Sequence, residues 1–259
     1  MKSLDHIKLF VLDMDGTIYL GDRLFPETTI FLSHVQQRGK SYCFFTNNSS
    51  KNRQAYLEKL EKMGIHIPPE KMLISNDVIL KWLDTHHKNQ SAYVVGTPAL
   101  RWDFQRRGIP AEDPNADYVV LGFDTSLTYD KLAKACDLIQ KGAPVYGVNP
   151  DFNCPVEGGF IPDCGSIAAL VQAATGVQCT FFGKPARHTL DYILDFTGCP
   201  PQELAIVGDR LYTDIATASG TQVTSILVLS GETQPEDLDE SPIRPDLVVE
   251  NIGALCSYF

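Results

Sequence analysis

Short apolar segments alternate with amphipathic segments along most of the chain. Nine of the apolar segments have the length and composition of buried strands: Lys8–Leu12, Tyr42–Phe45, Tyr93–Val95, Tyr118–Phe123, Val145–Val148, Thr180–Phe182, Leu204–Val207, Ser225–Leu229 and Asp246–Val249. Segments that are apolar throughout, rather than at every second position, are typical of strands covered on both faces. With the helical segments between them, they predict an α/β fold with parallel sheets and helices on both faces.

Three of the intervening segments have helical periodicity and recognisable ends: Ser49–Met63, Thr128–Lys141 and Pro185–Thr197. A glycine follows each of them as a C-terminal stop, and Pro185 suits the first turn of the third helix. The polar, proline-bearing segment Gln234–Pro245 predicts a surface loop before the last strand.

The predicted strands fall into three blocks along the chain, and the middle block has its own strands and helices. We therefore expect residues 89–179 to form an inserted α/β domain, and residues 1–88 and 180–259 to form a catalytic core domain. A chain of 259 residues is long enough for two modest domains.

The formal net charge is -10, from 22 basic and 32 acidic side chains. This charge disfavours binding to nucleic acids and to anionic membranes, so we expect neither as a partner. Seven cysteines without a Cys-x-x-Cys pair favour free thiols in a reducing cytosol. The apolar run Ile7–Leu12 is too short for a signal peptide or a membrane span, so we expect a cytoplasmic protein.

The string Asp13-Met14-Asp15-Gly16-Thr17 directly follows the first predicted strand. Two carboxylates two residues apart at a strand end can point into one crevice, where one attacks phosphorus and the other protonates the leaving oxygen. A solvated turn is the alternative for an isolated Asp-x-Asp. A calcium loop is disfavoured because the downstream glycine and glutamate spacing is wrong.

Two further strand ends carry polar residues that suit a phosphate. Thr46-Asn47-Asn48-Ser49-Ser50 offers hydroxyl, amide and backbone N–H groups before a helix, although a helix N-cap is the favoured interpretation of this string alone. Lys184, in Gly183-Lys184-Pro185, could neutralise a phosphate, whereas a lone lysine is more often a solvated charge.

The fourth polar strand end is Gly208-Asp209-Arg210-Leu211-Tyr212-Thr213-Asp214. Asp209 and Asp214 can both reach a metal from a strand-to-helix turn, and helix capping is an equally good interpretation of this string alone. All four polar groups follow predicted strands, and ligands of open parallel sheets bind at the carboxyl ends of strands. Convergence of the four groups on one site is therefore predicted.

A site with three ionised aspartates and a phosphate needs a counter-charge. Two like charges about 4 Å apart repel by roughly 4 kcal/mol at an effective dielectric constant of about 20. A divalent cation and Lys184 can offset this repulsion. Oxygen ligands and a phosphate favour Mg2+ over zinc or a softer metal.

At these residues the chain resembles the haloacid dehalogenase (HAD) superfamily of phosphatases, in the branch of NagD-like and p-nitrophenyl-phosphatase-like enzymes (subfamily IIA, C2-type cap). The resemblance covers nearly the whole chain. Its strings are Asp13–Asp22, Thr46–Ser49, Gly183–Pro185 and Gly208–Asp214, with Asn149–Asp151, Gly158–Gly159 and Gly165–Ser166 in the inserted part. It implies a Rossmann-like doubly wound core with an inserted α/β cap domain that closes over the site.

The resemblance also implies roles for individual residues. Asp13 would form an aspartyl-phosphate, while Asp15 would protonate the leaving alcohol and then activate water. The phosphoryl oxygens would be held by Thr46, Asn47 and Lys184. Mg2+ would be bound by Asp13, the backbone carbonyl of Asp15 and Asp209, with Asp214 supporting that shell directly or through water.

Substrate contacts are expected from the loop of the inserted domain that contains Asn149, Asp151 and Cys154. Cys154 stands where relatives that act on pyridoxal phosphate have a histidine, which favours a sugar phosphate or a nucleoside monophosphate instead. Cys154 as a buried small residue without any substrate contact is an equal alternative.

Three functions are consistent with these residues. The first is a phosphomonoester hydrolase that also acts on p-nitrophenyl phosphate. The second is a phosphotransferase or mutase on the same scaffold, and the third is a non-catalytic protein that binds a phosphorylated metabolite. The complete set of catalytic carboxylates favours the hydrolase, and the sequence leaves homo-oligomerisation open.

Overall fold

The computed structural model describes residues 3–156 and 158–259. Within this part of the chain, the residues divide into two compact units. The first unit contains the described residues of Met1–Thr46 together with Leu57–Leu73 and Thr189–Phe259. The second unit contains Asn47–Tyr56 and Ile74–His188.

Outside two antiparallel hairpins, strands and helices alternate in chain order. The strands are β1 (Leu9–Leu12), β2 (Tyr19–Leu20), β3 (Arg23–Leu24), β4 (Ser41–Thr46), β5 (Met72–Ile74), β6 (Ala92–Val95), β7 (Tyr118–Leu121), β8 (Val145–Gly147), β9 (Asn153–Val156), β10 (Gly159–Pro162), β11 (Thr180–Phe181), β12 (Leu204–Gly208), β13 (Thr224–Val228) and β14 (Leu247–Val249). The α-helices are α1 (Pro26–Gln37), α2 (Arg53–Lys62), α3 (Ser75–His86), α4 (Pro98–Arg106), α5 (Tyr129–Gln140), α6 (Cys164–Thr175), α7 (Arg187–Thr197), α8 (Ala216–Ala218) and α9 (Asp237–Glu240).

The main sheet of the first unit has the order β14-β13-β12-β1-β4-β5. β1 pairs in parallel with β12 and with β4, in a register that aligns Leu12 with both Val207 and Phe44. The chain fills the sheet to one side of β1 first and then returns to fill the other side. β1 is therefore at the topological switch point, where open α/β sheets bind their ligands.

The second unit has its own parallel sheet, in the order β11-β8-β7-β6, and an antiparallel hairpin of β9 and β10. A separate hydrophobic core lies between this sheet and the helices α5 and α6, with Leu121, Leu138 and Val171 among its buried members. The two parallel sheets confirm the predicted α/β class.

All nine strands predicted from apolar segments are present, with ends shifted by two residues at most. Five strands were not predicted: β2, β3, β5, β9 and β10. β2 and β3 have two residues each, which is too short for a periodic pattern. The predicted surface loop before the last strand contains the short helix α9.

Two predicted helix starts were wrong, because local hydrogen bonds take up the residues involved. α2 begins at Arg53 rather than at Ser49: Asn48 Oδ1 accepts from the Ser50 amide at 3.1 Å, and Asn52 Oδ1 accepts from the Ala55 amide at 3.0 Å. Asn52, rather than a residue of the Thr46–Ser50 string, therefore caps this helix. α7 begins at Arg187 rather than at Pro185, because the Ala186 amide donates to the Gly183 carbonyl in a tight turn.

Within residues 3–156 and 158–259, no helix has both the length and the hydropathy needed to cross a membrane. All seven cysteines are free thiols, as the sequence predicts. Burial raises the pKa of Cys43 and of Cys179 to about 12, so neither thiol is activated as a nucleophile.

Candidate active site and metal centre

Asp13 and Asp15 follow β1 in a tightly bonded loop, and both are half-buried. The Asp13 amide continues the sheet by donating to the Val207 carbonyl at 2.8 Å. The Tyr19 hydroxyl donates to Asp15 Oδ2 at 3.2 Å, which orients this carboxyl group. Gly16 has φ +85°, and a Cβ at Gly16 would overlap the Asp209 carboxylate, so only glycine fits between Asp15 and Thr17.

Asp209 and Asp214 follow β12, the strand beside β1. Asp209 comes directly after the strand, and Asp214 lies in a single π-helical turn, Leu211–Ile215. Asp214 Oδ2 accepts from the Arg210 amide at 3.1 Å, and a Cβ at Gly208 would overlap the Asp214 side chain. Gly208 therefore allows the second carboxylate to approach the strand end.

Asp13, Asp209 and Asp214 each offer one carboxylate oxygen, and these oxygens lie within 4.8 Å of one another. Asp209 and Asp214 are 2% and 1% exposed, so water does not screen their repulsion. Burial, and then the charge of Asp214, raise the pKa of Asp209 to about 7. Three carboxylates in this arrangement need a cation to remain ionised together.

The oxygen atoms of Asp209 have different surroundings. Oδ2 accepts from the Glu232 amide at 2.7 Å, whereas Oδ1 is buried and has no hydrogen-bond partner. A buried charged oxygen without a partner is costly, and a metal ion satisfies it. The donor set of hard carboxylate oxygens fits a hard cation such as Mg2+.

The loop Ser230–Glu232 after β13 supports this cluster, and our sequence analysis missed it. Ser230 Oγ donates to the Gly16 carbonyl at 2.7 Å, and a Cβ at Gly231 would overlap the Asp209 carboxylate. Glu232 is held by Arg210 at 2.9 Å. The loop follows a predicted strand, and its small residues at that strand end are the signal in the sequence that points to it.

Thr46 is the last residue of β4, the strand on the other side of β1, and it is buried. The predicted strand ends that carry Asp13, Thr46 and Asp209 are therefore neighbours on one sheet. The fourth predicted strand end differs, because β11 pairs with β8 in the sheet of the second unit.

Lys184 follows β11 and is bound to Asn47 within the second unit. The Lys184 amide donates to Asn47 Oδ1 at 2.8 Å, and Asn47 Nδ2 donates to the Lys184 carbonyl at 3.0 Å. Asn47 Nδ2 also donates to Asp151 Oδ2 at 2.8 Å. Both hydrogens of the Asn47 side-chain amide are thus used by protein acceptors.

The three residues predicted to contact substrate differ in burial. Asn149 and Asp151 are 0% and 4% exposed, and Asn149 Nδ2 donates to Asp151 Oδ2 at 2.9 Å. Cys154, in β9, is half-buried against the hydrophobic core of the second unit, and Asn48 Nδ2 lies 3.8 Å from its sulfur. Substrate contact by these residues stays a prediction.

Known proteins are similar to this chain in sequence and in architecture. Residues 10–110 match a family described as haloacid dehalogenase-like hydrolase, and residues 181–255 match one described as HAD-hydrolase-like. An acid sugar phosphatase of Staphylococcus epidermidis is 31% identical over 243 residues, which cover 93% of this chain and 94% of the relative. The 5'-nucleotidase YutF of Bacillus subtilis is 31% identical over 251 residues, which cover 97% and 98% of the two chains. The crystal structure of a 4-nitrophenylphosphatase from Thermotoga maritima is 42% identical, covers 98% of both chains and superposes with a TM-score of 0.94.

The chain belongs to the haloacid dehalogenase-like hydrolases. Its similarity to NagD and to 4-nitrophenylphosphatase confirms the branch that the motifs predicted. It is a phosphatase of the HAD type, since its relatives over nearly the full length are phosphatases and a nucleotidase. The cluster of Asp13, Asp209 and Asp214 gives this HAD phosphatase a site that could hold a metal.

Proposed function

We propose that the protein is a Mg2+-dependent phosphomonoester hydrolase that works through an aspartyl-phosphate on Asp13. The observation that carries the proposal is the close approach of three carboxylates, within 4.8 Å, at neighbouring strand ends of one sheet. One of these carboxylates has a buried oxygen without a hydrogen-bond partner. Such a cluster suits chemistry at phosphorus, where catalysis consists mainly of positioning and charge stabilisation.

In the first step, a carboxylate oxygen of Asp13 attacks phosphorus and the bond from phosphorus to the leaving oxygen breaks. Asp15, protonated, donates its proton to that leaving oxygen and releases the alcohol. In the second step, ionised Asp15 takes a proton from water while the water oxygen attacks phosphorus. The bond from phosphorus to Asp13 then breaks, which releases phosphate and restores both carboxyl groups.

Tyr19 supports the role of Asp15 as acid and base. Its hydroxyl is bonded to Asp15 Oδ2, and its ring is buried beneath the ammonium group of Lys59, which lies 3.8 Å from the ring centroid. The position of the Asp15 carboxyl group is thereby fixed before substrate binds. A fixed acid loses less freedom in the transition state than a mobile one.

The metal would be held by Asp13, Asp209 and the backbone carbonyl of Asp15, with Asp214 bound directly or through water. When bound, Mg2+ supplies positive charge for the phosphoryl oxygens and allows Asp13 and Asp209 to stay ionised together. Thr46 and Lys184 would contact the other phosphoryl oxygens. The Asn47 side chain is engaged by Asp151 and Lys184, so we assign its contribution to its backbone N–H.

We further propose small phosphorylated metabolites as substrates, either sugar phosphates or nucleoside monophosphates, with p-nitrophenyl phosphate as a generic substrate. The names of the relatives from Staphylococcus epidermidis, Bacillus subtilis and Thermotoga maritima support these classes. Residues 89–179 would form the cap domain that selects among them. The separate sheet and core of the second unit are consistent with this role.

The test is release of inorganic phosphate from p-nitrophenyl phosphate, sugar phosphates, nucleoside monophosphates and pyridoxal phosphate, with Mg2+ and with a chelator. Asp13→Asn should abolish turnover because it removes the nucleophile without a change in size. Added acceptor alcohol separates hydrolysis from phosphoryl transfer, since a transferase would form a new phosphate ester. Retained turnover in the Asp13→Asn variant would refute the assigned nucleophile.

A further inference from the structure

A group of buried polar side chains in the second unit connects the segment after β4, the loop before β9 and the start of α6. We call this group the Asp151 network. Each of its side chains belongs to a residue that is at most 8% exposed, and each is hydrogen-bonded to another member: Asn47, Ser49, Asn149, Asp151 and Asp163. Polar groups buried to this degree are kept where they specify one arrangement of the chain.

Asp151 is the acceptor at the centre of the network. Its Oδ2 accepts from Asn47 Nδ2 at 2.8 Å and from Asn149 Nδ2 at 2.9 Å. An ionised carboxylate only accepts hydrogen bonds, whereas the oxygen and nitrogen of an amide have nearly the same shape and can exchange places. Asp151 therefore stabilises the one orientation of the Asn47 amide that also pairs with the backbone of Lys184.

The orientation of the Asn47 amide in turn fixes the backbone of Lys184. With Nδ2 directed to Asp151, the Asn47 side chain pairs with both backbone groups of Lys184, at 2.8 Å and 3.0 Å. Reversal of the amide would place Asn47 Nδ2 against the Lys184 amide, donor against donor. It would also place Asn47 Oδ1 against the Lys184 carbonyl, acceptor against acceptor. A Cβ at Gly183 would lie 2.8 Å from Asn47 Oδ1 and 2.8 Å from the Val148 carbonyl, so a glycine is needed beside Lys184.

The other side of Asp151 is held by the start of α6. The Gly165 amide donates to the Asp151 carbonyl at 2.7 Å, and a Cβ at Gly165 would overlap the Pro150 carbonyl. Asn149 Nδ2 also donates to Asp163 Oδ1 at 3.0 Å, and Asp163 is the N-cap of α6. A continuous set of contacts therefore connects the first turn of α6 with Lys184.

We propose that Asp151 is a positioning residue for Lys184, acting through the side-chain amide of Asn47. This inference rests on the proposed function, in which the Lys184 ammonium group neutralises the transferring phosphoryl group. Asp151 itself is buried and bonded to amides, so its role is to orient the lysine rather than to touch substrate. A misplacement of about 1 Å in such a group costs about 10²-fold in rate.

The test is a double-mutant cycle of Asp151→Ala and Lys184→Ala, with phosphate release from p-nitrophenyl phosphate as the readout. Asp151→Ala should lower kcat/KM by about 10-fold to 10²-fold. In the Lys184→Ala background the same change should cost less than about twofold, because the group that it positions is already absent. Asp151→Asn keeps one oxygen that can accept from both amides, so it should retain most of the activity lost in Asp151→Ala.

Asp124→Ala is the matched control. Asp124 is another buried carboxylate of the second unit, bonded to Lys131 at 2.7 Å and outside the Asp151 network. Its effect on kcat/KM should be the same with and without Lys184. If Asp151→Ala unfolds at the assay temperature, Asn47→Ala replaces it in the cycle. Its effect on kcat/KM should likewise fall to less than about twofold in the Lys184→Ala background.

Independent, multiplicative effects of Asp151→Ala and Lys184→Ala on kcat/KM would overturn the inference while leaving phosphatase activity intact. Full activity of Lys184→Ala would also overturn it. Failure of the wild-type protein to release phosphate from any substrate is a different result, because it refutes the proposed function itself.

Discussion

Clusters of carboxylates occur in two regions of the molecule and differ in their surroundings. In the first unit, Asp13, Asp209 and Asp214 face one another, and the buried Oδ1 of Asp209 has no hydrogen-bond partner. In the second unit, Asp151 and Asp163 receive hydrogen bonds from amide groups of the protein itself. The first cluster is incomplete without a ligand, whereas the second is completed by protein atoms.

This difference separates a binding site from a scaffold. Like charges held together by the fold raise the free energy of the folded state until a cation binds. Carboxylates surrounded by amide donors need no cation, and they orient their neighbours instead. A buried oxygen without a protein donor, as at Asp209 Oδ1, therefore indicates a ligand site better than burial does, since burial is nearly the same for Asp209 and Asp151.

After Asp13→Asn, which should abolish turnover, the largest expected effect is that of Asp209→Asn in the first cluster. The change removes a charged metal ligand, so the loss of kcat/KM should exceed the roughly 10-fold to 100-fold caused by loss of an outer hydrogen-bond partner. Mg2+ titration by calorimetry should show weakened binding. Because repulsion with Asp214 is also removed, the metal-free variant should unfold at a higher temperature than the metal-free wild type.

Asp239→Asn is the control for this prediction. Asp239 is exposed on α9, and its replacement changes the net charge by the same amount as Asp209→Asn. It should leave activity, Mg2+ binding and thermal unfolding unchanged. Equal Mg2+ affinity in Asp209→Asn and wild type would show that the cluster does not hold the metal.

Gly231→Ala should have an intermediate effect, because it disturbs the surroundings of the cluster without a change in charge. The new methyl group would overlap Asp209 Oδ2, which accepts from the Glu232 amide. We expect kcat/KM and Mg2+ affinity to fall by about 10-fold to 100-fold, as for other outer-shell changes. Gly159→Ala is the control, since nothing lies within 4 Å of a Cβ there. Wild-type Mg2+ affinity in Gly231→Ala would mean that the loop does not position Asp209.

Much of the first cluster follows from the sequence, and the reason is geometric. Strand ends of a parallel sheet lie at one edge, so the aspartates after β1 and β12 meet once the strand order is known. Apolar strands are easily recognised because both of their faces are buried. The Ser230–Glu232 loop was not predicted because it acts through one serine hydroxyl, one backbone amide and a glycine, which are common in any surface turn.

The Asp151 network could not be derived in the same way. Asn47 follows β4, but its partners are 104 and 137 residues away in the chain, and no periodicity connects them. The sequence suggests a helix cap for the Thr46–Ser50 string, and capping belongs to Asn52 instead. Amide and carboxylate side chains suit caps, turns and buried networks alike, so only the tertiary contacts distinguish these roles.

Asp163→Ala should have the smallest effect on catalysis and a measurable effect on stability. Asp163 Oδ1 accepts from the Cys164 amide at the start of α6 and from Asn149 Nδ2 at 3.0 Å, and the residue is 3% exposed. Loss of a helix cap costs about 1 kcal/mol, and a buried donor without a partner costs about 1–3 kcal/mol. Asp151 accepts only one of the two Asn149 Nδ2 hydrogens, so we expect a total loss of about 2–4 kcal/mol in the free energy of unfolding.

Chemical denaturation measures this loss, and Thr128→Ala is the matched control because Thr128 caps α5 from an exposed position. The control should cost about 0.5–1 kcal/mol, since water replaces the cap at the surface. Equal losses for the two variants would mean that burial in the Asp151 network adds nothing to the cap. A loss of kcat/KM in Asp163→Ala as large as that in Asp151→Ala would place the control of Lys184 at α6 rather than at Asp151.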